Sequence, residues 1–113
     1  MSLQKKFNKA KQACKVTFTL PKEAALGAKE VKLLGDFNHW EKDKAIPLKM
    51  KDGNYTTTLE LKEGEEYQFR YLIDDEIWEN DWDADKYLST PFGVDNSVVV
   101  VSEETGVYKY LKS

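Results

Sequence analysis

The sequence predicts an all-β sandwich built as one domain, and three observations carry that reading. Apolar residues recur with a period of two along most of the chain. Turn pairs such as Asp52-Gly53 and Glu63-Gly64 separate the alternating runs. The length of 113 residues suits one domain and can bury a core without disulfide staples. Aromatic residues make up 12 % of the chain, too many for a segment meant to stay unfolded, although the charged share reaches 33 %.

Residues 1–15 hold five lysines and no acid, so residues 1–12 read as a solvated basic arm leading into a domain over 13–113. Cys14, Val16, Phe18 and Leu20 alternate with Lys15, Thr17 and Thr19 in a half-buried strand that Pro21 stops. Residues 22–29 could form a helical turn, but Gly27 and the short length favour a loop. Val31 and Leu33 flank Lys32 in a second strand running into Gly35. Ile46 and Leu48 suggest a short strand, and Pro47 places it at an edge.

After Asp52-Gly53, Tyr55, Thr57, Leu59 and Leu61 share one face of a long strand. After Glu63-Gly64, Tyr67, Phe69, Tyr71 and Ile73 share one face, with Gln68, Arg70 and Leu72 on the other. Asp74-Asp75-Glu76 is a turn. Residues 79–97 read as a polar loop punctuated by Pro91, Gly93 and Asn96, longer than compact domains keep without a use. Val98 to Val101 is a β-branched run expected of a strand covered on both sides, and Tyr108–Leu111 could add a last strand. The expected core is Val16, Phe18, Leu33, Leu59, Phe69, Tyr71 and Val98. About seven short strands at this spacing imply an immunoglobulin-like sandwich, although one cysteine leaves no room for the disulfide of antibody domains.

Composition excludes several functions. A net charge of −3 gives no general attraction to nucleic acid or an anionic membrane. No apolar run approaches the ~20 residues of a membrane span, and Met1–Phe7 lacks the apolar centre of a secretory signal. The lone Cys14 fits a reducing cytoplasm, the expected location. It lies on the apolar face of its strand, where a thiol is structural rather than reactive. One histidine, His39, beside Trp40 in a loop, leaves few nucleophile–base pairings, and no nucleophile elbow is present. The seven acids of residues 74–85 could pair for glycoside hydrolysis, but carboxylates in a polar loop are normally solvated. Asp81, Asp83 and Asp85 start like a calcium loop, which fails where Lys86 replaces the glycine and Phe92 the final glutamate. No enzyme activity, cofactor or metal is therefore expected.

Trp40, Trp78 and Trp82 sit among Asn, Asp and Glu rather than among periodic apolar partners. Each could cap an end of the core, or lie half exposed as a flat apolar plate. An exposed indole matches the axial C–H face of a pyranose, with Arg70 and Asn96 able to bond its hydroxyls.

The run Val31–Trp40, reading Val-Lys-Leu-Leu-Gly-Asp-Phe-Asn-His-Trp, resembles the opening signature of family 48 carbohydrate-binding modules. Three further elements follow in the family's order: Glu63-Gly64-Glu65 through Gln68–Tyr71, Trp78-Glu79-Asn80-Asp81, and Phe92-Gly93-Val94-Asp95-Asn96-Ser97-Val98-Val99. The likeness covers about residues 13–101. It is similar to the early-set domains of isoamylases and glucan branching enzymes of glycoside hydrolase family 13. It also resembles the domain in the beta subunit of AMP-activated protein kinase and small stand-alone bacterial proteins with only an isoamylase early-set domain.

The resemblance implies an early-set immunoglobulin-like fold that binds glycogen, starch or maltooligosaccharides without catalysis. It implies stacking by Trp40 and Trp78, hydroxyl contacts from Arg70 and Asn96, and an apolar contact from Phe92. Two departures stand out. Asp74-Asp75 replaces the family's Asp-Gly, and Trp82 replaces a proline, which implies a reshaped loop around Trp78. With no catalytic barrel following, delivery of an attached enzyme is not expected, though a separate glucan-metabolising enzyme could be a partner. The alternative is a protein-interaction or regulatory module that kept the fold and lost the sugar.

Overall fold

A computed structural model describes residues 2–102, so the expected strand at Tyr108–Leu111 lies outside the described residues. Strand β1 (Leu3–Asn8) pairs antiparallel with β2 (Ala13–Pro21), from Leu3 opposite Phe18 to Asn8 opposite Ala13. The first residues are thus a strand where the lysines suggested a solvated arm. The reason is a period-two pattern in which Leu3, Lys5 and Phe7 face inward. Leu3 is buried, and the Lys5 ammonium reaches Asp85 at 2.6 Å.

A single 3₁₀ turn, Lys22–Ala25, follows β2, and β3 is Val31–Gly35. The short β4 (Ile46–Pro47) pairs with β3 at a sheet edge, as Pro47 suggested. Strand β5 (Lys49–Lys51), which has no apolar face to announce it, pairs with β6 (Asn54–Lys62). Asp52 and Gly53 join them with φ of 52° and 82°, the left-handed pair that a tight two-residue hairpin requires.

Strand β7 (Glu65–Ile73) folds through Asp74–Glu76 into β8 (Ile77–Glu79). Strand β9 (Lys86–Ser89) pairs with β10 (Asp95–Val101), so the segment expected as one long polar loop contains a strand. Lys86-Tyr87-Leu88-Ser89 shows no alternation, and its partner β10 supplies the register.

One sheet runs β1-β2-β6-β5 and the other β4-β3-β7-β10-β9. One side of β7 is shared: residues Glu65–Phe69 pair with β10 and Tyr71–Ile73 with β8, leaving Arg70 at the junction. The core between the sheets holds Val16, Phe18, Leu33, Phe69, Tyr71, Val99 and Val101, with Leu59 half-buried against it. Phe18 meets Phe69 edge-on at 5.0 Å between ring centroids, within the favourable range for aromatic pairs. Val98 is fully buried as expected, but on the outer face of its sheet, because Val99 and Val101 take the core side.

Candidate functional site

Strand β3 ends at Gly35, where the backbone runs against β7. A Cβ there would land on the Gln68 carbonyl oxygen and lie 2.9 Å from Phe69 Cβ, so no larger residue fits. The chain then turns sharply through Asp36–Asn38. Buried Asn38 holds the turn: its Oδ1 accepts from Gly35 N at 2.9 Å, and its amide donates to the Leu33 and Lys44 carbonyls. His39 and Trp40 follow with φ of 56° and 58°, two successive left-handed residues that are not glycine. Such strain concentrates at binding sites, where surrounding contacts over-determine the backbone. Here Trp40 N donates to Gly35 O at 3.0 Å. Asp36 completes the clamp, accepting Trp40 Nε1 at 3.0 Å on one oxygen and Gln68 N at 2.8 Å on the other.

Trp78 enters from β8, directly opposite Leu72 on the outer face of the six-stranded sheet. The two indoles lie 6.2 Å apart between centroids and are tilted by 56°. The Arg70 guanidinium packs against both, 4.9 Å from the Trp78 centroid and 5.6 Å from that of Trp40. Both distances are within cation–π range. By alternation Leu34 and Leu72 share this outer face, and both are buried outside the main core. Arg70 pairs in register with Leu34 and Trp78 with Leu72, so the guanidinium and indoles cover a small apolar floor. Burial lowers the Arg70 pKa from its ordinary value, yet a guanidinium remains cationic at neutral pH.

An open groove of about 450 Å³ runs from Trp40 and Arg70 past Asn96 to Phe92. Asn96 Nδ2 donates to Gln68 Oε1 at 2.9 Å. Arg70 Nε and Asn96 Oδ1 have no hydrogen-bond partner among the described residues. Phe92 is 88 % exposed at the rim, carried by a tight loop in which Thr90 Oγ1 donates to Val94 O at 2.6 Å.

The five residues singled out in the sequence thus converge. Trp40, Arg70, Asn96 and Phe92 line one groove, and Trp78 joins it through its contacts with Trp40 and Arg70. Trp82 lines a different groove. Asp36 and Gln68 were overlooked as site residues, although Asp36 stands within the Gly-Asp-Phe-Asn signature. His39 is exposed and Cys14 buried, with burial pushing the thiol pKa up. Asp81 is buried, and Asp85 is engaged by Lys5 and Val100 N; no cluster of three or more His, Cys, Asp or Glu suited to a metal occurs among the described residues.

Residues 14–107 match the family described as the glycogen recognition site of AMP-activated protein kinase. The chain belongs to that family. Its relatives include the 5'-AMP-activated protein kinase subunit beta-1 of Sus scrofa, 34 % identical over 77 residues that make up 68 % of this chain and 58 % of that protein. The Bos taurus and Homo sapiens subunits are 34 % and 32 % identical over the same length, which is 26 % of each. The glycogen recognition family thus accounts for most of this chain, while the chain spans between a quarter and three-fifths of these relatives.

Proposed function

We propose that this chain is a family 48 carbohydrate-binding module that holds α-1,4-glucans, such as glycogen, starch and maltooligosaccharides, without catalysis. The observation that carries the reading is the cluster at the head of an open groove, in which the Trp40 and Trp78 indoles meet and the Arg70 guanidinium packs against both. Indole faces remove the apolar side of a pyranose from water while its hydroxyls stay free for bonding. Arg70 and Asn96 line the groove beside the indoles, where their side chains are in reach of those hydroxyls. Phe92 at the rim supplies a further apolar contact.

Family membership supports the glucan class. The shallow, open form supports binding rather than turnover, because nothing in it excludes water from a reacting bond. A glucan-metabolising enzyme is the natural partner, and a reducing cytoplasm the natural location for a chain with one buried thiol.

Affinity should fall at roughly micromolar to millimolar Kd, since a shallow site gains little beyond stacking and a flexible ligand loses entropy. Titration calorimetry with maltoheptaose tests this: saturable heat supports the reading, and its absence at millimolar ligand removes it. Reducing ends released well above a heat-killed control would remove the non-catalytic part. The second reading, a protein-interaction module, draws on the 88 % exposure of Phe92 beside exposed Leu88 and Val94. It takes over if no glucan binds.

A further inference from the structure

We propose that the groove at Trp82 is a second contact for a neutral glucan chain, separate from the one at Trp40 and Trp78; the inference rests on the glucan-binding reading above. Trp82 is 56 % exposed and belongs to no part of the core. It lines an open groove of about 320 Å³ with Ser2, Thr19, Pro21, Asn54 and Asp83. None of these residues lines the groove at Arg70.

The indole is held out by a rigid base. Its predecessor Asp81 is buried, accepts the Tyr71 hydroxyl at 2.8 Å, and donates its own N–H to Ser97 Oγ at 2.8 Å. Its successor Asp83 donates its N–H to Asp81 Oδ1, also at 2.8 Å. Trp82 Nε1 points to Glu79 Oε2 at 3.4 Å, a long bond that leaves the ring faces free. The backbone that carries the indole is fixed in this way, so a ligand that stacks on the ring need not order the loop.

The surroundings select the ligand. Trp82 and Pro21 supply the apolar part of the groove, with Ser2, Thr19, Asn54 and Asp83 placing polar groups around it. Asp83 and nearby Glu79 disfavour a polyanion. Alternation places the groove residues Thr19 and Asn54, and beyond them Thr17, Thr56 and Thr58, on the outer face of the four-stranded sheet, where Lys49 and Lys51 of β5 stand opposite Thr56 and Asn54. Thr17 and Thr58 meet hydroxyl to hydroxyl at 2.9 Å. An indole opening onto hydroxyls and an amide, with Asp83 on one side and Lys49 and Lys51 on the other so that neither charge sign dominates, fits a neutral polyhydroxyl chain. With two contacts on one module, a long or branched glucan gains avidity that a short oligosaccharide cannot.

The test follows the three indole N–H signals of the full chain by nitrogen-15 NMR during titration with maltoheptaose to about 10 mM, a range that covers millimolar Kd. The Trp82 signal should shift with its own saturation curve, and should still shift in the Trp40→Ala/Trp78→Ala double variant. Trp82→Ala should lower retention on glycogen severalfold while leaving the Trp40 and Trp78 curves unchanged, with circular dichroism as the folding check. A Trp82 signal that stays still while the other two move overturns this inference and leaves the first site standing. A Trp82 shift lost in the double variant also overturns it, as transmission from the first site. Movement of Trp82 alone supports the second contact and removes the first.

Discussion

The Tyr71 hydroxyl donates to the buried carboxylate of Asp81 at 2.8 Å, and this bond fastens the segment that carries Trp78 and Trp82 to the core. Asp81 also accepts from the Asp83 amide, while Ser97 Oγ accepts Asp81 N and bonds Asn80 Oδ1. The Tyr87 hydroxyl closes the loop on the Asp81 carbonyl at 2.7 Å. Burial pushes the Asp81 carboxyl above its ordinary pKa, and bonds from Asp83 N and the Tyr71 and Ser2 hydroxyls pull it part of the way back.

Tyr71→Phe should therefore destabilise the protein by about 2 kcal/mol, the scale of a hydrogen bond to a charged group. A pH signature accompanies it. The native carboxyl holds its proton more tightly than the unfolded one, so its contribution is complete below the ordinary value of 3.8 and is lost as pH rises through the native value. Chemical denaturation from pH 3 to pH 7 should show the wild type losing stability relative to Asp81→Asn as pH increases. Tyr71→Phe, lacking a bond that lowers the pKa, should carry that loss to higher pH. A flat difference between wild type and Asp81→Asn would remove the argument.

Phe69→Ala should cost roughly 3–5 kcal/mol, because Phe69 is fully buried and packs against both Phe18 and Tyr71. Urea denaturation measures it. A loss below about 1 kcal/mol, the scale of a surface change, would contradict the packing described.

The two aspartates of the β7–β8 hairpin should respond in opposite directions. Asp75 has φ of 56°, and its carboxylate reaches Lys32, whose pKa rises chiefly through Asp75 and then Glu30. Asp75→Gly relieves left-handed strain of about 1 kcal/mol, partly offset by the extra freedom of an unfolded glycine. The ion pair lost is exposed, and Lys32 keeps Glu30 at 3.1 Å. A small rise in Tm is expected. Asp74 also has a left-handed φ of 51°, but its Oδ1 accepts both Lys29 N and Glu30 N, at 2.8 and 2.9 Å. Asp74→Gly should lower Tm, since two backbone donors lose a charged acceptor. Thermal unfolding of the pair decides it, and a fall for Asp75→Gly would show that its ion pair outweighs the strain.

The period-two runs made β6 and β7 legible, because Leu59 and Leu61 of β6 and Phe69, Tyr71 and Ile73 of β7 turn alternate positions to the core. Strand β1 was hidden by a lysine in an inward position: Lys5 is tolerated there because Asp85, in the bend before β9, neutralises it. The run Val98–Val101 lacks alternation, so its sequence could not say which valines face the core. The Trp40, Arg70 and Trp78 cluster was legible through local signatures, since each residue sits at a turn or strand end whose chemistry is local. Asp81 was not, because an acid among six others reads as solvated until the fold brings Tyr71 and Ser97 to it.

The proposed site separates contact from positioning. Trp40→Ala and Trp78→Ala should each lower maltoheptaose affinity at least tenfold, about 1.4 kcal/mol, since each removes one plate of a small contact. Arg70→Ala and Asn96→Ala should cost less, because water can replace bonds to exposed hydroxyls. Asp36 tests the clamp. Its two oxygens hold the Trp40 indole and the Gln68 backbone, so Asp36→Ala frees a ring carried on a left-handed backbone. Its loss should be intermediate, and Asp36→Asn, which keeps one acceptor oxygen, should recover part of it. None of these effects should depend on salt, as maltoheptaose is neutral. Calorimetry at low and high ionic strength, with circular dichroism as the folding control, measures the series. An Asp36→Ala variant that binds as tightly as wild type would show that packing against Arg70 and Trp78 alone orients Trp40.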